Sequence, residues 1–125
     1  MKNFYAFLCS VLLLGTINLN AQTTIPAGVV SGTWNLAGSP YLVTGGIMIA
    51  NGTTLTIDPG VTVNFQGSYI FLVMGRLLAV GTLADSITFT ASNTSIGWLG
   101  IRFNNTLTTN DTSKFFYCIV KYGRV

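Results

Sequence analysis

Ile47 and Ile49 recur 24 residues later as Phe71 and Val73, and Val63 and Phe65 recur at the same spacing as Ile87 and Phe89. Self-similarity at a fixed period in the low twenties is the signature of a coil that returns above its own start. A third pass recovers Leu99, Ile101 and Phe103 after about 28 residues, the extra length falling in Asn93 to Gly97. Between these points the chain alternates apolar and polar with period two, the spacing of strands rather than helices.

Strand candidates are Tyr41 to Val43, Ile47 to Ile49, Leu55 to Ile57, Val61 to Phe65, Ile70 to Val73, Ile87 to Thr90, Leu99 to Phe103 and Tyr117 to Tyr122. Turn residues separate them: Thr44-Gly45-Gly46, Asn51-Gly52, Asp58-Pro59-Gly60, Gln66-Gly67-Ser68, Gly81-Thr82 and Asn104-Asn105. Three short strands per repeat predict an all-β solenoid, a parallel β-helix of about three to four rungs in which each strand pairs with its counterpart one rung on. Val63 is then expected directly on Ile87. Alternation assigns Leu55, Ile57, Val61, Val63 and Phe65 to the interior, with Thr56, Asp58, Thr62 and Asn64 outside. Arg102 must face water, which places Leu99, Ile101 and Phe103 inside. Lys121 must too, which places Cys118, Val120 and Tyr122 inside.

The first 21 residues read differently. Lys2 is followed by an apolar run, Phe4 to Gly15, and then by a polar stretch ending in Ala21. This is the layout of a secretory signal peptide, with cleavage expected after Ala21. The run is short of the roughly 20 apolar residues a membrane span requires. Domain organisation is therefore read as a signal peptide over 1–21, an amino-terminal cap and first strands over 22–46, with Thr33 to Tyr41 as cap candidate, and β-helix coils over 47–125. Secretion or display at the cell surface follows, with no stable membrane span once the signal is removed.

After cleavage, Arg76, Arg102, Lys114, Lys121 and Arg124 stand against Asp58, Asp85 and Asp111, a net charge of +2. So few and scattered cations do not form the basic stripe of a nucleic-acid binder. Cys118 is the one cysteine left, so no internal disulfide can staple the fold. It reads as a small buried apolar residue rather than a nucleophile. Cys9 lies inside the apolar run, too early for lipid attachment.

Taken in order, "SGTWNLAGSPYLVTGGIMIANGTTLTIDPGVTVNF", "GRLLAVGTLADSITFTA", "GWLGIRF" and "FFYCIVKYG" resemble the amino-terminal coils of bacterial secreted right-handed parallel β-helix proteins, pectate-lyase-like solenoids. The resemblance covers nearly all of Ser31 to Gly123. It implies a longer parent with further coils and a carboxy-terminal sorting domain for type IX export. With no carboxy-terminal cap visible, the chain is expected to be the first part of a longer protein, or to pair its open rung end to end with another copy.

β-helix lyases of this kind hold calcium with clustered carboxylates, and calcium asks for about six to eight oxygens. The 24-residue offset puts Thr82 over Asp58 and Val61 under Asp85, so no carboxylate ladder forms. Glycoside hydrolysis needs two carboxyl groups roughly 5 to 9.5 Å apart. Asp58 and Asp85 share a corner, but Asp58-Pro59-Gly60 is better explained as a turn, with Pro presetting φ, Gly accepting positive φ and Asp taking a backbone N–H bond. With no histidine, neither a catalytic triad nor a zinc site can be assembled. No catalytic residue, metal or cofactor is assigned. Asn-X-Ser/Thr triplets at Asn51, Asn93, Asn104 and Asn110 read as polar turns. Asp85-Ser86-Ile87 resembles a short bacterial O-glycosylation signal.

If Leu99 points in, Trp98 points out beside Arg102, with Gly100 between them. An aromatic plate next to a guanidinium can stack on a sugar and bond its hydroxyls, so Trp98 and Arg102 are the candidate carbohydrate-binding residues. The competing reading packs Trp98 beneath the loop from Asn104 to Ser113. The expected function is an exported scaffold for adhesion or glycan contact, its partner a polysaccharide or surface glycan. The alternative is the amino-terminal part of a polysaccharide lyase or glycoside hydrolase whose active residues lie on further coils.

Overall fold

The computed structural model describes residues 21–104 and 107–124. The leader read as a signal peptide, apart from Ala21, lies outside the described residues. These fold into β1 (Thr23–Ile25), β2 (Gly28–Val29), β3 (Gly32–Trp34), β4 (Tyr41–Val43), β5 (Ile47–Ile49), β6 (Thr54–Ile57), β7 (Thr62–Phe65), β8 (Phe71–Val73), β9 (Arg76–Val80), β10 (Ile87–Ala91), β11 (Ile101–Phe103), β12 (Lys114–Phe116) and β13 (Cys118–Val120). A single 3-10 turn, Leu36–Gly38, interrupts them. The helical element is too short to cross a membrane.

Every pairing between these strands is parallel, and sheet membership cycles with every third strand. One sheet runs β1-β4-β7-β10-β13, the second β2-β5-β8-β11 and the third β3-β6-β9-β12. The chain is thus all-β, with three parallel sheets of four or five strands, an arrangement consistent with a β-helix solenoid. Residues 22–46 carry β1 to β4, and β1, β2 and β3 pair with β4, β5 and β6.

Alternation along each strand sends one set of side chains into the shared core. Leu55, Ile57, Val61, Val63 and Phe65 are all buried, as are Ile47, Ile49, Phe71, Val73, Leu77, Ala79, Ile87 and Phe89. Parallel in-register pairing stacks these residues on one another: Ile47, Phe71 and Ile101 form one column, and Tyr41, Val63, Phe89 and Val120 another. Trp34 stacks on Tyr41 with ring centroids 4.9 Å apart at the first corner. The Tyr41 hydroxyl donates to the Asn35 carbonyl at 2.8 Å. Burial, with a smaller contribution from the Asp58 charge, raises the Tyr41 phenol above its ordinary value.

The repeat is real but its length varies. Ile47 pairs with Phe71 at the 24-residue offset, whereas Val63 lies beside Phe89, not Ile87. Two changes in corner length account for the slip. Met74 and Gly75 turn a corner that takes Ala50 to Thr53 one rung earlier, which shortens the next ladder to Leu55 beside Leu77. The connection from Ala79 to Thr88 is then longer than the one from Ile57 to Thr62, which moves the following ladder past the original offset. Gly75 makes the short corner possible, because a Cβ there would collide with the carbonyl oxygens of Ala50 and Thr53.

On the last rung Ile101 pairs with Phe71 and Phe103 with Val73, two residues later than the repeat predicts. Both therefore share the inward register, but no further strand covers them among the described residues, and Phe103 is 51% exposed. Leu99, Val120 and Tyr122, expected inside, are also exposed. Tyr122 has a left-handed backbone, φ 60°, which breaks the alternation that placed it inward.

Candidate functional site

Three groups of residues bear on function: the acidic corner, the Trp98–Arg102 pair and the cleft under the β11–β12 connection. At the corner, Asp58 to Val61 form a turn in which Gly60 has φ +79° and the Val61 N–H donates to the Asp58 carbonyl at 3.4 Å. Pro at the second position and positive φ at the third are the requirements of a type II turn. The closing bond comes from the backbone of Asp58, not from its carboxylate. The turn is locked to its neighbours from both sides: Asp58 N–H donates to Trp34 O at 3.0 Å, and Gly60 N–H to Asp85 O at 3.0 Å. Asp85 thus sits above Gly60 rather than above Asp58. Among the described residues no three of His, Cys, Asp and Glu converge as metal ligands.

Trp98 and Arg102 are not brought together. Trp98 is completely buried, its ring stacked on Phe65 at 4.1 Å and near Phe89 at 6.4 Å, and its Nε1–H donates to the Lys121 carbonyl at 2.7 Å. The expectation that Trp98 faces water is corrected by this burial, and it lies in the core rather than beneath the 104–113 loop. The physical reason is local. Gly97 at φ +71° and Gly100 at φ +82° bracket Trp98, and each left-handed residue resets which face the next side chain takes. Strict alternation carried back from Arg102 therefore assigns the wrong side. Arg102 itself is exposed on β11, in register with Leu72 and, through it, Met48 and Val29 on the outer face.

The cleft is the one the sequence did not point to. Gly75, Phe103, Leu107, Asn110, Asp111, Thr112 and Ser113 line a concavity of about 330 Å³ at the corner between the second and third sheets. Asn110 fastens its wall to two lower rungs. Its Nδ2 donates to Asn51 Oδ1 at 3.0 Å and to Met74 O at 3.2 Å, and its Oδ1 accepts from Gly52 N–H at 3.1 Å. Arg76 Nε donates to Thr112 O at 3.1 Å, and Leu77 N–H to Ser113 Oγ at 3.0 Å. Arg76 and Asp111 approach to 3.6 Å, with 25% and 83% of their side chains exposed.

Most polar groups at this corner are thus committed to holding the connection in place. What remains open to solvent is the Phe103 ring, the Leu107 side chain, the Asp111 carboxylate and the Thr112 side chain. Two of the triplets read as polar turns meet here. Asn51-Gly52-Thr53 and Asn110-Asp111-Thr112 are two Asn-X-Thr triplets, and the fold puts them at one corner two rungs apart. At a different corner, Asn93 uses its carboxamide oxygen to accept from Ser95 and Ile96 N–H, each at 3.0 Å.

Cys118 is half-buried at the edge of the core, in register with Ile87. Its sulfur lies 3.3 Å from Ala79 O and 3.4 Å from Phe116 O, placed to donate to either carbonyl. Burial pushes the thiol up to about 11, far from the activated range of a nucleophilic cysteine.

No protein-family model, curated protein or solved structure matches the chain.

Proposed function

We propose that the chain is a right-handed parallel β-helix, exported behind a signal peptide at 1–21, whose described residues build four three-strand rungs and the first strand of a fifth. In this reading it is a non-catalytic scaffold of the secreted or surface-displayed kind, and it contacts a surface glycan. The cleft over Gly75 carries the assignment of the contact. An exposed aromatic ring, Phe103, stands in the same concavity as a free-facing carboxylate, Asp111, and a threonine hydroxyl. The ring can stack on the apolar face of a sugar, while the carboxylate accepts from vicinal hydroxyls. The Arg76 guanidinium lies 3.6 Å from Asp111, an exposed and solvent-screened pair, and supplies a donor beside it.

An array of neutral and uronate-containing oligosaccharides, probed with the secreted chain, tests this assignment. Retention of a glycan class that is lost in both Phe103→Ala and Asp111→Asn supports it. Retention unaffected by either change, or no retention at all, overturns it. Amino-terminal sequencing of the secreted product should begin at Gln22, and a chain retained inside the cell with Met1 intact would remove the export reading.

A further inference from the structure

Asn51-Gly52 is the one Asn-Gly pair in the sequence, and the fold puts it at the tip of a corner. Ala50 to Thr53 form a turn closed by the Thr53 N–H to Ala50 O at 3.1 Å, with Gly52 at φ +79°. Both central residues are exposed, and nothing lies within 4 Å of where a Cβ on Gly52 would stand. Such a pair carries its own chemistry. The Gly52 main-chain nitrogen, once it has given up its proton, can attack Asn51 Cγ. The Cγ–Nδ2 bond breaks, the amide takes up a proton and leaves as ammonia, and a succinimide ring closes. Water then opens the ring. Opening at Cγ leaves an ordinary aspartate, whereas opening at the Asn51 main-chain carbonyl leaves an isoaspartate, whose backbone is one carbon longer.

Asn110 faces this pair from the β11–β12 connection. Its Oδ1 accepts the Gly52 N–H at 3.1 Å, and its Nδ2 donates to Asn51 Oδ1 at 3.0 Å. One side chain thus grips both reacting groups, and the two bonds act in opposite senses. Donation to Asn51 Oδ1 draws electrons from Cγ and by itself favours attack. The other bond holds the proton that has to leave first and fixes the nitrogen within the turn. That second effect decides, because attack needs a free nitrogen brought to about 3–3.5 Å of the carbon, and the closed grip opposes both conditions. Asn110 Nδ2 also donates to Met74 O at 3.2 Å, so release of the grip is tied to local opening of the connection over residues 107–113.

We infer that Asn51-Gly52 is a deamidation site held shut by Asn110, and that its conversion to isoaspartate unlatches this corner in one direction. The added backbone carbon widens the turn between Ala50 and Thr53 and displaces the Gly52 N–H from Asn110 Oδ1. Conversion to aspartate has the opposite consequence. It keeps the backbone, and the new carboxylate still accepts from Asn110 Nδ2 as a charge-assisted bond. The latch is independent of what the neighbouring cleft binds.

The test incubates the full chain at mildly alkaline pH. Isoaspartate at position 51 is read by methyl transfer from an isoaspartyl methyltransferase and located by peptide mass mapping, with the urea-unfolded chain as reference. Asn51 in the native chain should convert about tenfold more slowly than in the unfolded chain, the factor imposed by an opening step of about 1.4 kcal/mol. Asn110→Ala should recover most of the unfolded rate. Trp98→Phe, weakened at a different corner, should leave Asn51 as slow as in the native chain. Proteolysis between Asn104 and Ser113 should then accelerate in the isoaspartate form but not in Asn51→Asp.

Three results overturn the inference. Native conversion at the unfolded rate, or an unchanged rate in Asn110→Ala, would remove the latch. Equal acceleration in Asn110→Ala and Trp98→Phe would assign the conversion to general unfolding. An isoaspartate form as resistant to proteolysis as Asn51→Asp would show that the corner stays closed after conversion.

Discussion

Phe65 on β7 and Trp98 one rung above it lie ring on ring, 4.1 Å between centroids and 8° from parallel. This pair joins the first sheet to the tryptophan that closes the corner after β10, and the indole N–H reaches across to Lys121 just past β13. Trp98 therefore couples three successive levels of the stack. Replacing Trp98 with Ala should cost about 3–5 kcal/mol, the range for deleting a large buried aromatic. Trp98→Phe should recover part of this, since a ring remains but the donor to Lys121 is lost. Urea unfolding of both variants, read by circular dichroism, checks the order. A loss below about 1 kcal/mol in Trp98→Ala would contradict the burial.

The register between β7 and β10 can be trapped chemically. Thr62 and Thr88 are partners on the outer face, whereas a uniform 24-residue repeat would pair Asn64 with Thr88. In a Cys118→Ser background, Thr62→Cys with Thr88→Cys should oxidise readily to a disulfide, because in-register neighbours meet the Cα separation of about 4.4–6.8 Å that the bond needs. Asn64→Cys with Thr88→Cys should oxidise much more slowly. Thiol titration after mild oxidation distinguishes them.

How far this register was legible depends on where the chain keeps its rhythm. Leu55 to Phe65 alternates without interruption and is framed by a turn whose geometry Pro59 and Gly60 dictate, so its inward and outward faces follow from the residue types alone. The column from Ile47 to Phe71 is legible for the same reason. β9 escaped because Arg-Leu-Leu-Ala-Val carries little strand propensity, and its pairing with β6 decides its conformation. β1 to β3 escaped because Gly28 and Gly32 leave little apolar pattern to read. The cleft escaped for another reason. Phe103 belongs to the core by register and becomes a surface residue only because it lies on the last described rung, and no local pattern encodes that position.

Asn110 replaces part of a strand ladder at the cleft corner by bonding to two rungs at once. Asn110→Ala removes three hydrogen bonds, and with most of the corner open to water the cost should be about 1–2 kcal/mol. Asn110→Asp should be the more damaging change at neutral pH, because a carboxylate would turn toward Asn51 Oδ1 and Met74 O in place of a donor. Limited proteolysis reads the consequence directly. Cleavage between Asn104 and Ser113 should accelerate in both variants, and more in Asn110→Asp. Equal resistance to the unmodified chain would show that the corner does not depend on this side chain.

The Cys118 thiol gives the fold a defined weakness at high pH. Its folded value is raised from an ordinary 9.0 to about 11, so the native state holds the proton over a range in which the unfolded chain releases it. The stabilisation is complete below about pH 9 and is lost as pH rises toward 11, since unfolding then becomes coupled to ionisation. Tyr41 adds a change of the same sign starting from its ordinary value of 10.0, because its phenol is also raised. Stability measured by urea unfolding should therefore decline between about pH 9 and 11. Cys118→Val, which keeps an apolar side chain at the edge of the core, should flatten the lower part of that decline while leaving the part due to Tyr41. In the native chain a thiol reagent should react slowly at pH 8 and faster as the pH passes 10. Rapid stoichiometric labelling at pH 8, at the rate of an unfolded control, would show that the sulfur is neither shielded nor raised.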